Sequence, residues 1–172
     1  MPLYDASIPV FVQMLKGLSG VLSKASAHAE TRKIVPEVML GLRHVPDMFA
    51  LTRQVQVACD FAKNTSGRLA GDEVPKFADE EKSFEELHSR IQKTLAYIEA
   101  LPKAAFAGSE TRNITFPIQG KPHTMNGADY LNTFALPNFY FHVTTAYTIL
   151  RANGLELNKR DFLGTVAGLK PV

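Results

Sequence analysis

Apolar residues recur at helical spacing along the first half of the chain. The first such pattern consists of Ile8, Phe11, Leu15, Leu18, Leu22 and Ala25. Its alternating intervals of three and four residues predict an amphipathic helix over residues 7–28. A second pattern, made of Met48, Leu51, Val55, Ala58 and Ala62, predicts a helix over residues 47–69, and Gly71 is placed to end it. Between them, a shorter helix is expected near residues 36–41, before the break at Pro46.

The third helix has both of its ends marked in the sequence. Ser83 and Glu86 form the S-F-E-E capping box that often begins a helix, and Pro102 follows the last apolar position. The apolar stripe between those ends is Phe84, Leu87, Ile91, Leu95 and Ile98. This spacing predicts one buried face and one solvated face.

Residues 126–154 form the most apolar stretch of the chain. No Asp, Glu, Lys or Arg occurs between Asp129 and Arg151, and large apolar residues lie all round the helical wheel. The sequence therefore predicts a fourth helix that neighbours bury over most of its surface. Asn126 with Asp129 resembles a capping pair at its start, and Gly154 suits its end.

A change of period separates the third and fourth helices. Ile114, Phe116 and Ile118 alternate with polar residues, and Gln119-Gly120 provides a turn before the next short segment. Alternation of this kind predicts a small β-hairpin. We therefore predict an all-α fold, a four-helix bundle with a short hairpin between helices three and four, in a single domain spanning residues 1–172.

Composition and charge exclude several functional classes. The formal net charge of +2 and the pI near 8.7 are too mild to indicate a nucleic-acid partner. One cysteine, Cys59, rules out internal disulfides and fits a reducing compartment. No leader peptide is expected, and the stretch over residues 134–150, which also contains Asn, His and Thr, falls short of the ~20 predominantly apolar residues that a membrane span needs. We therefore expect a cytoplasmic protein with no membrane partner.

Two polar residues interrupt the apolar fourth helix and mark a candidate site. Asn138 and His142 are four residues apart, so they share one face of that helix. Gln54 lies beside the apolar seam of the second helix. We predict that these three side chains form a ligand-binding pocket, with His142 as the candidate catalytic base. The alternative interpretation is a buried His whose nitrogens are satisfied by neighbours and which has no further role.

Two segments resemble a known family, namely PDMFALTRQVQVACDFAK and FALPNFYFHVTTAYTILRANGLELNKRDFLG. They are similar to an uncharacterised bacterial family of the DinB/YfiT-like superfamily of metal-binding four-helix bundles. The resemblance extends from about Tyr4 to Gly164. It implies an up-down-down-up connection of the helices and a dimer. Members of that superfamily with known activity include thiol-dependent transferases, hydrolases and isomerases.

The resemblance also implies where a metal site would lie. Metal-binding members place one histidine on the second helix and two on the fourth, at positions that match Gln54, Asn138 and His142 in this sequence. Only His142 is retained, and neutral amide oxygens are poor ligands for zinc or nickel. We therefore expect no metal and no cofactor.

Three hypotheses follow from these patterns. The first is a helical bundle that binds a small molecule around Gln54, Asn138 and His142. The second is a structural or interaction protein, a homodimer whose buried polar network fixes helix register. The third is a metal- or thiol-dependent transferase or hydrolase. In all three, nucleic acid is not expected as a partner.

Overall fold

Four long helices and one hairpin make up the chain over residues 2–170, which are the residues that the computed structural model describes. The first half contains α1 (Leu3–Arg32), α2 (Pro36–Leu40), α3 (Leu51–Ala70) and α4 (Phe84–Ala100). A 3-10 turn (Lys103–Phe106) leads to the antiparallel strands β1 (Asn113–Ile118) and β2 (Lys121–Asn126). The chain continues through α5 (Gly127–Asp129), a π-helical segment (Tyr130–Ala135), α6 (Leu136–Ala152) and α7 (Lys159–Leu163).

The long helices pack around one apolar core. Helix α3 contacts both α4 and α6, and α1 contacts α3, α4 and α6. Aromatic pairs join elements that are distant in sequence, as where Phe11 of α1 meets Phe139 of α6 edge-on with centroids 4.8 Å apart. The structure confirms the predicted helical fold with a small hairpin. Both predicted capping residues are also confirmed, because the side chains of Ser83 and Asn126 accept backbone N–H groups of Glu86 and Asp129.

The start of α3 differs from the prediction. The apolar spacing placed it near Asp47, whereas α3 begins at Leu51. The Leu51 N–H donates to the carbonyl of Leu42 at 2.8 Å, so the residues before Leu51 turn back toward α2 instead of continuing the helix. A tertiary backbone bond here overrides a pattern that would have suited one more helical turn.

The fourth predicted helix is not uniform. Residues 130–135 are π-helical, and α6 begins directly before Pro137. Proline has no N–H to donate and its ring crowds the preceding turn, so a wider turn at this point avoids both conflicts. The expectation that neighbours bury most of this helix is wrong for one face, where the side chain of Phe141 is 53% exposed and that of Tyr140 is 38% exposed.

The C-terminal segment docks on α1. A Cβ atom at Gly17 would lie 2.6 Å from the carbonyl oxygen of Phe162, so glycine is required for this approach. The Phe162 ring also meets Tyr147 of α6 edge-on, with centroids 5.7 Å apart. The tail is therefore packed against the bundle through Phe162.

Helix α1 is the one described helix whose length and hydropathy would suit a membrane span. Half of the relevant window is buried inside the protein, and the helix lies near the N-terminus. A core helix has the same properties, and the buried side chains of α1, including Phe11, Leu15 and Leu22, pack in the core.

Candidate functional site

The structure brings together two of the three residues that the sequence singled out. Gln54 on α3 and His142 on α6 meet inside the helical bundle, with Gln54 Oε1 2.7 Å from His142 Nδ1. Both side chains are buried, and His142 is 8% exposed. This contact bridges α3 and α6, two helices that pack closely against each other.

A second hydrogen bond fixes the orientation of both side chains. The Gln54 Nε2 group donates to the carbonyl oxygen of Phe49 at 3.1 Å, which directs Oε1 toward the imidazole. Because an amide oxygen can only accept, His142 Nδ1 must carry the proton. The other ring nitrogen, Nε2, then has a free lone pair. Within residues 2–170 no side chain or backbone group binds Nε2, and this nitrogen is not closed off from solvent.

Aromatic rings surround this imidazole. Phe61 of α3 lies nearly parallel to it, with centroids 5.9 Å apart, and Phe141 contacts it edge-on at 5.2 Å. Phe49, whose carbonyl orients Gln54, has a side chain that is 50% exposed. Arg53 stacks over the Phe49 ring at 5.9 Å from its centroid. The free nitrogen of His142 therefore lies in a mostly apolar environment with one cation at its edge.

This environment lowers the pKa of His142 to about 4. Burial is the larger cause, because it disfavours the charged imidazolium, and the positive charge of Arg53 adds to it. The side chain is therefore neutral at pH 7. A neutral imidazole of this tautomer can accept a hydrogen bond through Nε2 but cannot donate one there.

Asn138 does not join the pair. Its Nδ2 group donates to the carbonyl of Phe134 one turn back in the same polypeptide segment, at 2.7 Å. Short polar side chains in helices often bind the carbonyl four residues earlier in this way. The expected three-residue pocket is therefore a two-residue contact in the described structure, with Asn138 half-buried beside it.

The side chains at this position do not fit the metal centre that the resemblance implies. Gln54 Oε1 already accepts from His142 and Asn138 Nδ2 donates to Phe134, so a metal would find one imidazole nitrogen, His142 Nε2, and otherwise neutral amide oxygens. Within residues 2–170, no group of three or more His, Cys, Asp or Glu side chains is arranged to hold a metal ion. Catalytic zinc is usually held by three protein ligands.

We therefore expect the purified, untagged protein to bind almost no zinc or nickel, less than about 0.1 equivalent per chain, whereas a three-ligand site would bind one. Elemental analysis, followed by titration of the wild type and of His142→Ala with Zn²⁺ and Ni²⁺, measures this directly. About one metal per chain in the wild type, lost in the variant, would contradict the prediction.

The pKa of His142 has a consequence for stability. Since the folded pKa of about 4 lies below the usual 6.5, folding favours the neutral form. The stabilisation is complete above pH 6.5 and is lost as the pH falls toward 4, over which range the loss amounts to about 3 kcal/mol. His142→Gln should lack this component.

The measurement is the free energy of unfolding of both proteins from about pH 7.5 to about pH 3.5. The contribution of His142 is expected to change over about three pH units within that range. The difference between wild type and variant isolates His142 from the carboxylates that titrate in the same range. A difference that stays constant with pH, or an imidazole NMR titration near the ordinary pKa, would contradict the prediction.

A second polar cluster lies where α3 and α4 meet the segment between them, residues 72–82, which we call the connector. Arg90 of α4 is 2% exposed and bonds Asp60 of α3 at 3.0 Å, Asp79 at 2.9 Å and Glu81 at 2.9 Å. It also donates to the carbonyl of Ala78 at 2.9 Å. The side chain of one arginine thus fixes three positions of the connector and one of α3.

Further contacts secure the connector along its length. Lys63 of α3 donates to the carbonyl of Pro75 at 2.8 Å, and Gln56 Nε2 donates to Glu81 at 2.7 Å. Tyr97 of α4 donates to Asp72 at 3.0 Å. Gln56 and Asp60 therefore do not form a solvated face of α3, because the connector covers Gln56 and Asp60 holds the buried Arg90.

The charges of this cluster stabilise one another. Burial alone would lower the pKa of Arg90, but its bond to Glu81 and the charge of Asp60 outweigh burial and raise it. Burial would likewise raise the pKa of Glu81, but the bonds from Arg90 and Gln56 lower it. Beneath the connector, burial raises the pKa of the Cys59 thiol to about 12, which leaves it protonated and unreactive at neutral pH.

An open groove of about 830 Å³ runs between the connector and α4. Its lining includes Phe77, Glu80, Lys82, Arg90 and Lys93, and it contains neither Gln54 nor His142. Charged groups of both signs line it, so its composition favours no single class of ligand.

Sequence reasoning missed the residues that complete the site around His142. Phe49, Arg53, Phe61 and Phe141 belong to patterns that equally describe a packed helix surface. The available signal was the spacing on α3, because Phe61 lies two helical turns after Gln54 and so shares its face.

Comparisons with known proteins agree with this architecture. Residues 3–163 match a family described as a domain of unknown function, DUF1993. The chain is 43% identical to a DinB family member protein from Shewanella denitrificans whose crystal structure is known. The match covers 98% of this chain and 96% of that chain, with a TM-score of 0.90. No curated protein matches the chain.

Proposed function

Because the chain belongs to the family DUF1993 and has the DinB-like helical fold, we propose that it binds a small molecule at His142. The observation that carries this proposal is the bond between Gln54 Oε1 and His142 Nδ1 at 2.7 Å. That bond fixes the tautomer and leaves Nε2 as an accessible hydrogen-bond acceptor in apolar surroundings. Ligand sites generally combine apolar walls with a few oriented polar groups.

The surroundings of Nε2 support one class of ligand. The rings of Phe61 and Phe141, which contact the imidazole, suit a flat apolar body, and Nε2 suits an O–H or N–H donor on it. A carboxylate ligand would lack that donor at neutral pH. We therefore propose an uncharged, planar molecule that donates one hydrogen bond.

The test uses phenol as the probe and anisole as a matched control that has the same ring but no donor. Phenol should shift the Nε2 resonance of His142 with a Kd in the millimolar range, and anisole should bind about tenfold more weakly, the equivalent of about one hydrogen bond. His142→Phe should abolish the difference between the two probes. Equal binding of both, or resonance changes remote from His142, would refute the proposal.

Catalysis by His142 is a separate proposal with weaker support. A general base works best when its pKa is near the working pH, and the pKa of His142 is about 4. A ligand that displaced Arg53 would bring the pKa closer to neutral. An enzymatic step would therefore show a rate that rises with pH through the pKa of His142 in the complex and is lost in His142→Gln.

A homodimer is the second candidate, and it is favoured by the exposed face of α6. Pro137, Tyr140, Phe141 and Thr144 lie on this face, which carries no charged side chain before Arg151. Exposed apolar surfaces of this kind often mark protein interfaces. We propose that two copies pack through α6 about a two-fold axis.

Light scattering at micromolar concentration tests the dimer. Tyr140→Glu should shift the wild-type dimer to monomer, whereas Gln92→Glu, on the exposed side of α4, should leave the mass unchanged. A wild type that is monomeric throughout the micromolar range would exclude the dimer without affecting the phenol experiment.

A further inference from the structure

Arg53 of α3 joins the two polar clusters of the protein. Its guanidinium pairs with Asp79 of the connector and donates to Gln56 Oε1 at 3.2 Å. The same group lies over the ring of Phe49 at 5.9 Å from the centroid. Asp79 in turn pairs with Arg90 at 2.9 Å, so one carboxylate of the connector holds both arginines.

From Phe49 the contacts continue to His142 without a gap. The Phe49 carbonyl accepts from Gln54 Nε2 at 3.1 Å, and Gln54 Oε1 accepts from His142 Nδ1 at 2.7 Å. The connector, through Asp79, is therefore linked to the imidazole by four consecutive contacts. Three of these contacts are polar, and the one between Arg53 and Phe49 is a cation–π contact with the ring.

Arg53 also acts electrostatically on the imidazole of His142. Helix α6 carries no charged residue between Asp129 and Arg151, and Arg53 is the one charged group in the described structure that acts on the pKa of His142. Arg53 is in turn paired with Asp79 of the connector.

The pair of Arg53 and Asp79 is not placed to stabilise the fold. Both side chains are 40% exposed, and ion pairs in that setting contribute little to stability because water screens them. The buried Arg90 is the arginine of this cluster that is placed to stabilise the fold. The exposed pair instead fixes the position of the Arg53 guanidinium at the edge of the site.

We infer that Asp79 is a positioning residue for the His142 site, holding the Arg53 guanidinium against Phe49 at the entrance to that site. This inference rests on the proposed function, because a positioning role presupposes a site to position. Its consequence is that the connector, which lies outside the site, regulates the charge and the entrance of the site through one ion pair. A ligand or partner that drew Asp79 away would release Arg53.

The experiment is a double-mutant cycle of Arg53→Gln and Asp79→Asn, read as the pKa of His142 by NMR. Arg53→Gln should raise that pKa by about half a pH unit, the effect of removing one partly screened charge. Asp79→Asn should raise it too, because the unanchored Arg53 swings into solvent. Asp79→Asn added to Arg53→Gln should produce no further rise, and Asp79→Glu should restore the wild-type value.

Two control variants separate positioning from general loosening. Glu80→Gln changes a neighbouring carboxylate with no ion pair among the described residues, and Glu81→Gln removes a partner of Arg90 without touching Arg53. Both should leave the pKa of His142 unchanged. A lower pKa or no change in Asp79→Asn, no change in Arg53→Gln, or an equal rise in Glu81→Gln would overturn the inference.

The phenol titration distinguishes this inference from the proposed function. If phenol does not bind but the cycle gives the expected pattern, the ligand proposal fails and the positioning role of Asp79 stands. If phenol binds with the expected preference but Asp79→Asn leaves the pKa of His142 and the phenol Kd unchanged, the site stands and the inference fails.

Discussion

Replacing Arg90 with methionine is expected to lower the free energy of unfolding by about 3 kcal/mol, because it removes the buried cation that three partly buried carboxylates share. Asp60, Asp79 and Glu81 all bond this guanidinium, whose side chain is 1% exposed. In the variant, Asp60 keeps Lys63 as a partner and Asp79 keeps Arg53. Neither of these cations bonds Glu81 in the described structure. Denaturant unfolding of the variant and the wild type measures the loss.

Lys93→Met is the matched control for that experiment. Lys93 lies on α4 one turn from Arg90, is exposed, and should change stability by less than about 0.5 kcal/mol. The loss in Arg90→Met should shrink as the pH falls toward 3, because protonation neutralises the stranded carboxylates. If Arg90→Met does not fold, Glu81→Gln supplies the smaller version of the same effect. A loss that does not change with pH would show that packing, and not charge, is what Arg90 supplies.

Replacing Gly127 with alanine is expected to cost about 4 kcal/mol, in the range reserved for severe backbone or packing conflicts. A Cβ atom at this position would lie 1.9 Å from the carbonyl oxygen of Ser109. That oxygen belongs to the backbone of the turn after residues 103–106, so relief requires the chain itself to move. The neighbouring bond from the Ala128 N–H to the carbonyl of Glu110, at 3.0 Å, holds the two segments together.

Gly20→Ala is the control, and it should change the stability of the protein in the opposite direction. Gly20 lies in the interior of α1, and a Cβ atom there would meet nothing within 4 Å. Alanine should stabilise the protein by about 0.5–1 kcal/mol through its higher helix propensity. Thermal unfolding of the two variants should therefore shift the melting temperature in opposite directions. A Gly127→Ala protein as stable as the wild type would contradict the close approach of these segments.

Local sequence signals predicted the elements and their ends well. Ser83 and Asn126 cap the helices that they were expected to cap, and the turn at Gln119-Gly120 joins β1 to β2. These features depend on contacts within a few residues, which a single sequence records directly. The start of α3 was displaced because its first N–H finds its acceptor at Leu42, and no local pattern records such a contact.

Of the three candidate site residues, the sequence predicted the meeting of Gln54 and His142 but not the separate bond of Asn138. Helical spacing identified the faces on which Gln54 and His142 lie, and facing positions on packed helices do meet. Spacing does not determine which partner a side chain chooses, and Asn138 binds the carbonyl of Phe134 in its own segment. Arg90 falls beside the apolar seam of α4, where an arginine is usually solvated. Its burial depends on the connector, whose acidic residues carry no local signal that they will cover an arginine.

The π-helical segment at Tyr130–Ala135 bears on how this chain should be aligned with its relatives. A π turn accommodates one residue more than an α turn, as an insertion into an existing helix would. Each residue of an α-helix advances the side-chain direction by about 100°, so the insertion rotates α6 relative to the segment before it. A helical wheel drawn continuously through residues 126–154 therefore mixes two registers, one before the π-helical segment and one after it. In an alignment with a helix that lacks the π turn, a one-residue gap within this segment would therefore keep His142 on the face that meets Gln54.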